Sequence, residues 1–566
     1  MHLTGLLDAL SSTAMFQSLV ERLKHQSRLP DQAIVRSARP FMVAAVVRAL
    51  ADIPILVVTA RVDRAHNVAE QILAWLPDAN VLRFQEPTTM FYEHAPWTDT
   101  TIQARIQTLA ALAPPIRSRT APEPPGTGSP VVISSAYALM QRTLPARQFR
   151  TASRHLRVGQ QGDPEKLLQH WVAVGYQPAS VVTGPGTFSR RGGIIDIYPP
   201  AMALPVRIEF FGDEIDSLRT FDPATQRSVA ALDGFVVTPA REALPKNMSS
   251  LAERLATWFQ SQPAPETDVT STLDDYGHLE SGMAFPHAEF YLPMLYQQPA
   301  SLLDYLPQEA LIIIEDWAAL RDTVAELEVQ ALERREDLIP DNVIPPTMRL
   351  PYHTWDDLYE SLTSRTPLHL GHPEHLIAPE EIEDDQLGFA PGPRFGGQLR
   401  LFMDHLEKLV PTADQAIVVT RQAQRLAELW SERHQQATYP LTKIDTLAEL
   451  PPVTFVEGEL TEGWVLEIDE RSRLHLLTDA EIFGWKRPEP RRRTQQRRVN
   501  PEAYYADLEE GAYVVHVDYG IGRFQGVHKR RLQDSEREYL LVEYAGNDIL
   551  YVPIHQADRL SRYVGV

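Results

Sequence analysis

The chain has 566 residues, a formal net charge of -21 and no cysteine. At roughly 100 to 200 residues per domain it must contain several cores; disulfides and thiolate metal sites are excluded, and the acidic balance favours proteins over nucleic acid as partners. The most apolar window, "PFMVAAVVRALADIPILVV", is broken by Arg48 and Asp52, too interrupted for a membrane span, so the expectation is a soluble, untargeted, cytoplasmic protein.

Residues 1–150 alternate helical patterns with short apolar runs. "IPILVVTA" is followed by a helix from about Arg64 to Leu76 and then by "NVLRF", a βαβ rhythm that predicts a parallel sheet. "PPIRSRTAPEPPGTGSP" reads as a surface loop within this domain. From about residue 151 to 243 the texture changes. "GTFSRRGGIIDIYPP" and "LPVRIEFFGDEIDSLRTFDPATQRSV" alternate apolar and polar residues between Gly and Pro breaks, which predicts the hairpins of an antiparallel α+β insertion. Residues 244–345, with the buried strand "ALIIIEDW", return to the α/β domain. A linker is expected over 346–380, a further small α/β domain over 381–485, a basic linker over 486–500 and a β-rich module over 501–566. The predicted class is therefore α/β multidomain with a C-terminal small β-barrel of Tudor or SH3-like type.

Nucleotide chemistry is contradicted by the residues that should carry it. A phosphate loop needs glycines whose N–H groups hold phosphates, ending in Lys and Ser or Thr. The chain contains no Gly-Lys dipeptide, and "SARPFMVAA" places Pro40 and Phe41 where glycine and lysine belong. Glu315 and Asp316 in "IIIEDW" resemble a magnesium-holding acidic pair; without the loop they read as a buried strand ending in a solvated acidic turn. Gly520 and Gly522 in "VVHVDYGIGRFQGV" miss the dinucleotide spacing and are followed by a strand rather than a helix, so they read as turn residues of the small barrel. His369, His372, Glu374 and His375 offer metal ligands on an irregular Pro-containing stretch, and His516 and Asp518 share a strand face with no nucleophile nearby in sequence; neither set is expected to be a site. No catalytic residue, no metal and no cofactor is expected in this chain.

Two stretches resemble one family. "GTFSRRGGIIDIYPPAMALPVRIEFFGDEIDSLRTFDPATQRS" is similar to the UvrA-binding domain of the nucleotide-excision-repair protein UvrB, in the form carried by the bacterial transcription-repair coupling factors, the Mfd family. "GAYVVHVDYGIGRFQGV" with "REYLLVEYAGNDILYVPIHQADRLSRYVG" resembles that family's RNA polymerase interaction domain, shared with CarD-type regulators. Their order matches the N-terminal half of the family. The resemblance implies a UvrB-like α/β domain that has lost ATP binding, with ATP and Mg confined to motor domains that lie beyond this stretch in complete family members. It implies an adaptor rather than an enzyme, linking UvrA to the β subunit of a stalled RNA polymerase.

Carried over residue by residue, the resemblance implies UvrA contacts at Arg190 and Arg191 with Phe188 as their apolar neighbour, while Ser189 replaces a family arginine. Paired guanidiniums on a hairpin suit partner carboxylates; the structural alternative is an ion pair with Asp213 or Glu214. Polymerase binding is implied for Tyr539, Leu540, Leu541, Val542 and Tyr544, through an added strand along "EYLLVEY". Arg491, Arg492, Arg493, Arg497 and Arg498 offer weak phosphate contacts to DNA or form a solvated linker. Two other functions stay open: a CarD-like regulator without a repair role, and an active UvrB-like helicase, which the absent phosphate loop disfavours.

Overall fold

In the computed structural model, residues 1–25, 32–113, 128–260, 272–298, 300–340, 343–371, 387–448, 450–484, 510–516, 520–532, 535–544, 549–553 and 560–562 are described. Most of the loop at 114–130, the basic linker with its five arginines, His372, Glu374, His375, Asp518 and the "AGND" turn lie outside the described residues. Met1–Gln262 with Asp275–Trp485 form one compact unit, and the C-terminal residues belong to another.

The runs "ILVVT" and "VVISS" are rich in β-branched residues and show no polar alternation, which is the pattern of a strand covered on both faces. They form β1 (Ile55–Thr59) and β3 (Val131–Ser135), buried throughout, with β2 (Val81–Phe84) at the edge. The helix Val62–Trp75 makes the crossover, turning Val68, Ile72 and Trp75 inward.

The insertion begins with β4 (Arg154–Arg157). The helix Pro164–Ala173 follows, with Asp163 accepting from the Glu165 N–H at 2.9 Å as its cap and Trp171 fully buried. Then come β5 (Gln177–Pro178), β6 (Thr187–Arg191), β7 (Ile194–Ile197), β8 (Val206–Phe211), β9 (Glu214–Phe221) and β10 (Ser228–Leu232), hydrogen-bonded as one sheet in the order β10-β9-β8-β7-β6-β5. β11 (Gly234–Val237) closes the insertion by pairing antiparallel with β4.

The chain then re-enters the first sheet. β12 (Leu311–Ile314), all apolar and buried, lies parallel to β1. β13 (Leu368–His369) extends the sheet, giving the order β13-β12-β1-β3-β2. The linker expected over 346–380 is thus partly core architecture: besides β13 it holds the helix Trp355–Thr363, opened by a reciprocal cap between Thr354 and Asp357.

A second α/β sheet contains β14 (Phe389–Pro391), β15 (Gln415–Thr420), β16 (Val453–Glu457), β17 (Trp464–Asp469) and β18 (Ser472–Thr478), in the order β14-β17-β18-β15-β16. It does not stand apart from the first. Phe41 packs edge-on against Trp75 at 4.9 Å between ring centroids and tilted against Trp464 at 4.5 Å. Asn67 and Gln71 both donate to the Thr461 hydroxyl at 2.9 Å. One apolar cluster therefore runs through both sheets, and 381–485 is fused to the first domain rather than separate.

In the C-terminal unit, β19 (Tyr513–His516), β20 (Gly520–Leu532), β21 (Ser535–Glu543), β22 (Ile549–Pro553) and β23 (Leu560–Arg562) form an antiparallel sheet in the order β22-β21-β20-β19-β23. Val514, Phe524, Leu540, Val542, Val552 and Leu560 make its core. Gly520 adopts φ 76°, a left-handed backbone that suits glycine at the start of β20. Gly522 corrects the turn reading: it lies inside β20 opposite Val514, where a Cβ would run into the Val542 side chain.

Candidate protein-interaction surfaces

The hairpins of the insertion have two-residue turns, Gly192–Gly193 between β6 and β7 and Gly212–Asp213 between β8 and β9. Gly192 and Gly212 have φ of 64° and 62°, as tight hairpin turns require. In an up-and-down meander, alternate turns emerge at the same end. The Phe210 N–H donates to the Gly193 carbonyl at 2.8 Å and ties the two tips together.

Register decides which side chains this end presents, because residues directly opposite on paired strands share a face. Arg190 lies opposite Ile195, and Ile195 opposite the buried Ile208, so Arg190 is on the core side. There it forms an ion pair with Glu165 and donates from Nε to the Gly192 carbonyl at 3.3 Å. The alternative partners Asp213 and Glu214 are not the ones Arg190 uses. Arg191 lies opposite Ile194 on the outer face, exposed, with Nη2 donating to the Ser180 carbonyl at 3.0 Å.

Phe188 is corrected from contact to core. It is 6 % exposed, opposite Ile197, with its ring 5.8 Å from that of Trp171. The Ser189 hydroxyl is also buried and donates to the Ser180 carbonyl at 3.1 Å. The apolar residue this end does present is Phe211, 83 % exposed at the β8 tip, with Ile194 at 39 %. The alternation in "VRIEFF" carried that signal, since inward Val206, Ile208 and Phe210 leave Phe211 facing out. Below the tips the outer face is polar and braced: Arg207 grips Asp196 with two hydrogen bonds of 2.8 and 2.9 Å, a bidentate geometry that fixes both side chains.

In the C-terminal sheet, Leu540 and Val542 are fully buried and Tyr544 packs against the same cluster, so these are core residues rather than contacts. Tyr539 and Leu541 lie on the opposite face with Tyr551, whose ring meets that of Tyr539 edge-on at 6.1 Å. Nor is this stretch an edge. Tyr539, Leu540, Val542 and Glu543 pair with β20 on one side, with a bulge of β20 opposite Leu541, and Tyr539–Glu543 pair with β22 on the other. The β20–β21 hairpin outruns its neighbours: β19 pairs only as far as Arg523 and β22 only from Tyr539, while the two arms continue together to Leu532 and Ser535. Among the described residues, β19 does not pair with β20 beyond Arg523.

The region that resembles a nucleotide site is filled by arginines. The helix Arg39–Ala49 occupies the position where a phosphate loop would lead into a helix, with Pro40 in its first turn and Phe41 in the core. Arg39, itself buried, donates from Nε to the Ile34 carbonyl at 3.1 Å and places Nη1 3.6 Å from Asp316. Burial holds its guanidinium below the usual range, against the opposing charges of Glu315 and Asp316. Arg64 forms an ion pair with Glu315, which is 4 % exposed, and Asp316 caps the helix Trp317–Leu338 by accepting from the Ala319 N–H at 3.0 Å. Glu315 is therefore a buried, paired carboxylate, not part of a solvated turn. Elsewhere His369 stacks on Trp317 with ring centroids 5.3 Å apart.

Two family models match the chain: the UvrB interaction domain over residues 155–242 and the CarD-like/TRCF RID domain over residues 508–564. The first span contains the hairpin end and the second the C-terminal sheet. The chain is similar to the transcription-repair-coupling factors over most of its length. It is 26 % identical to the Transcription-repair-coupling factor of Bacillus subtilis (strain 168) over 536 residues, 90 % of this chain and 43 % of the relative. With that of Staphylococcus haemolyticus (strain JCSC1435) it is 26 % identical over 578 residues, 98 % of this chain and 47 % of the relative. The chain thus spans just under half the length of these coupling factors. Among the described residues, no helix is long and apolar enough to cross a membrane.

Proposed function

We propose that the chain is the adaptor portion of a transcription-repair coupling factor, recruiting UvrA through the β6–β9 hairpin end and holding RNA polymerase through the C-terminal sheet. The observation that carries this reading is the presence of both interaction-domain models on one chain, within a relationship spanning nearly its whole length. A covalent link between two binding modules raises the effective concentration of each partner near the other. At the UvrA surface, Arg191 supplies a guanidinium to partner carboxylates, and Phe211 and Ile194 supply apolar area beside it; exposed arginine and aromatic residues are the side chains that dominate interfaces.

For the polymerase we place the added strand along the part of the β20–β21 hairpin that extends beyond β19 and β22, and not along residues 539–543. An added strand needs an accessible strand edge, whereas residues 539–543 lie between β20 and β22. The partner in this reading is the β subunit. The chain does not bind ATP at its first sheet in this reading, because Arg39 and Arg64 already neutralise Glu315 and Asp316 and Phe41 is committed to the core.

The test is simultaneous binding: the full chain is immobilised, saturated with UvrA and then exposed to core RNA polymerase. Binding of both, with Arg191→Glu losing only UvrA and Val527→Arg losing only polymerase, is the expected result. Polymerase binding without any UvrA binding would instead place the chain with the CarD-like regulators.

A further inference from the structure

In the first unit, segments distant in sequence bring together His94, Asp275 and His287, whose donor atoms all lie within 4.8 Å of one another. His94 follows β2, Asp275 sits on the helix Thr272–Ser281, and His287 precedes the short turn Ala288–Tyr291. His94 Nε2 is 2.6 Å from Asp275 Oδ2, His287 Nδ1 is 3.8 Å from Oδ1, and the Tyr291 hydroxyl donates to Oδ2 at 2.9 Å. The Asp275 side chain is 5 % exposed, and its ion-pair partners among the described residues are both histidines. A buried carboxylate thus faces two imidazoles, with no lysine or arginine in the group.

We propose that His94 Nε2, His287 Nδ1 and the Asp275 carboxylate form a site for a divalent transition metal, zinc being the best match. Two imidazoles and one carboxylate suit zinc, which takes N and O donors at about 2.0–2.2 Å; magnesium and calcium require oxygen ligands. Tetrahedral coordination at those lengths separates donors by roughly 3.3–3.6 Å. The observed 2.6 and 3.8 Å separations bracket that range, and all three donors lie within 4.8 Å of one another, so ring movements that draw them together would complete the geometry. The His94 and His287 side chains are 25 % and 19 % exposed, leaving solvent access for a water as fourth ligand. The Tyr291 hydroxyl orients the carboxylate, as outer-shell donors do at metal sites. Metal ligands bind deprotonated, so affinity falls as pH falls. The site staples the segment after β2 to a helix 181 residues further along the chain.

The alternative, a hydrogen-bonded knot that never takes a metal, is separated by titrating the metal-stripped full chain with Co2+, read by visible absorption, and with Zn2+, read by calorimetry. One equivalent with the intense d–d bands of a tetrahedral N/O site is expected. His287→Gln and Asp275→Asn should weaken that equivalent roughly 100-fold or more, beyond the loss caused by an outer-shell partner. Wild-type protein without stoichiometric uptake, or a band that persists in a folded His94→Ala/His287→Gln variant, overturns the proposal. If the variants do not fold, the wild type still decides: Zn2+ should protect His94 and His287 from acylation by diethyl pyrocarbonate, mapped by peptide mass. Undiminished modification of both rules the site out.

Discussion

Phe211→Ser separates interface from architecture with one side chain. Phe211 is 83 % exposed at the tip of β8, so the folded chain draws little from its ring, and the substitution should change stability by no more than about 0.5 kcal/mol. In a UvrA complex the same ring would be buried. Complete burial of a phenylalanine is worth about 1.5–3 kcal/mol. With most of the ring available, the loss should be about 1–2.5 kcal/mol, a weakening of about 5- to 70-fold. The assay is calorimetric titration of UvrA into the full chain, beside thermal melts of both proteins. Unchanged affinity with unchanged stability would remove Phe211 from the interface. A drop in stability above about 1 kcal/mol would mean that the ring supports the fold.

Other substitutions test the remaining assignments. Phe188→Ala, in the same strand group but buried against Trp171, should cost about 3–5 kcal/mol in denaturant unfolding and weaken UvrA only through loss of folded protein. Glu242→Gln should cost about 3–5 kcal/mol, because it strands Arg105, fully buried between the rings of Phe84 and Trp97 at 4.0 and 4.9 Å from their centroids; Glu242→Gln melting like wild type would refute an ionic role. For pH, burial lowers the pKa of His475, against the raising effect of Asp414, and burial also lowers those of His405 and His353. A folded pKa below the unfolded value means that the folded state binds fewer protons. Their contribution is therefore complete above the ordinary imidazole pKa of about 6.5 and is lost as pH falls below it. Melts at descending pH should show this loss, and His475→Gln should flatten the slope.

Much of this molecule is determined by local sequence. The buried strands follow from unbroken β-branched runs, the insertion from alternation between glycine turns, and the missing phosphate loop from Pro40 and Phe41. Such features depend on neighbours a few residues apart, which the sequence contains in full. What only the tertiary structure decided depends on register and on distant partners. Arg190 and Arg191 are adjacent, yet pairing with Ile195 and Ile194 sends one to Glu165 on the core side and the other outward. "EYLLVEY" has the composition of an edge strand, but β22 covers its other side. Residues 381–485 read as a separate domain, but Trp464 completes the packing around Phe41. The His94, Asp275 and His287 cluster shows the same limit: no local pattern connects them, because chain closure over long separations is governed by the packing of whole elements rather than by any residue's own preference.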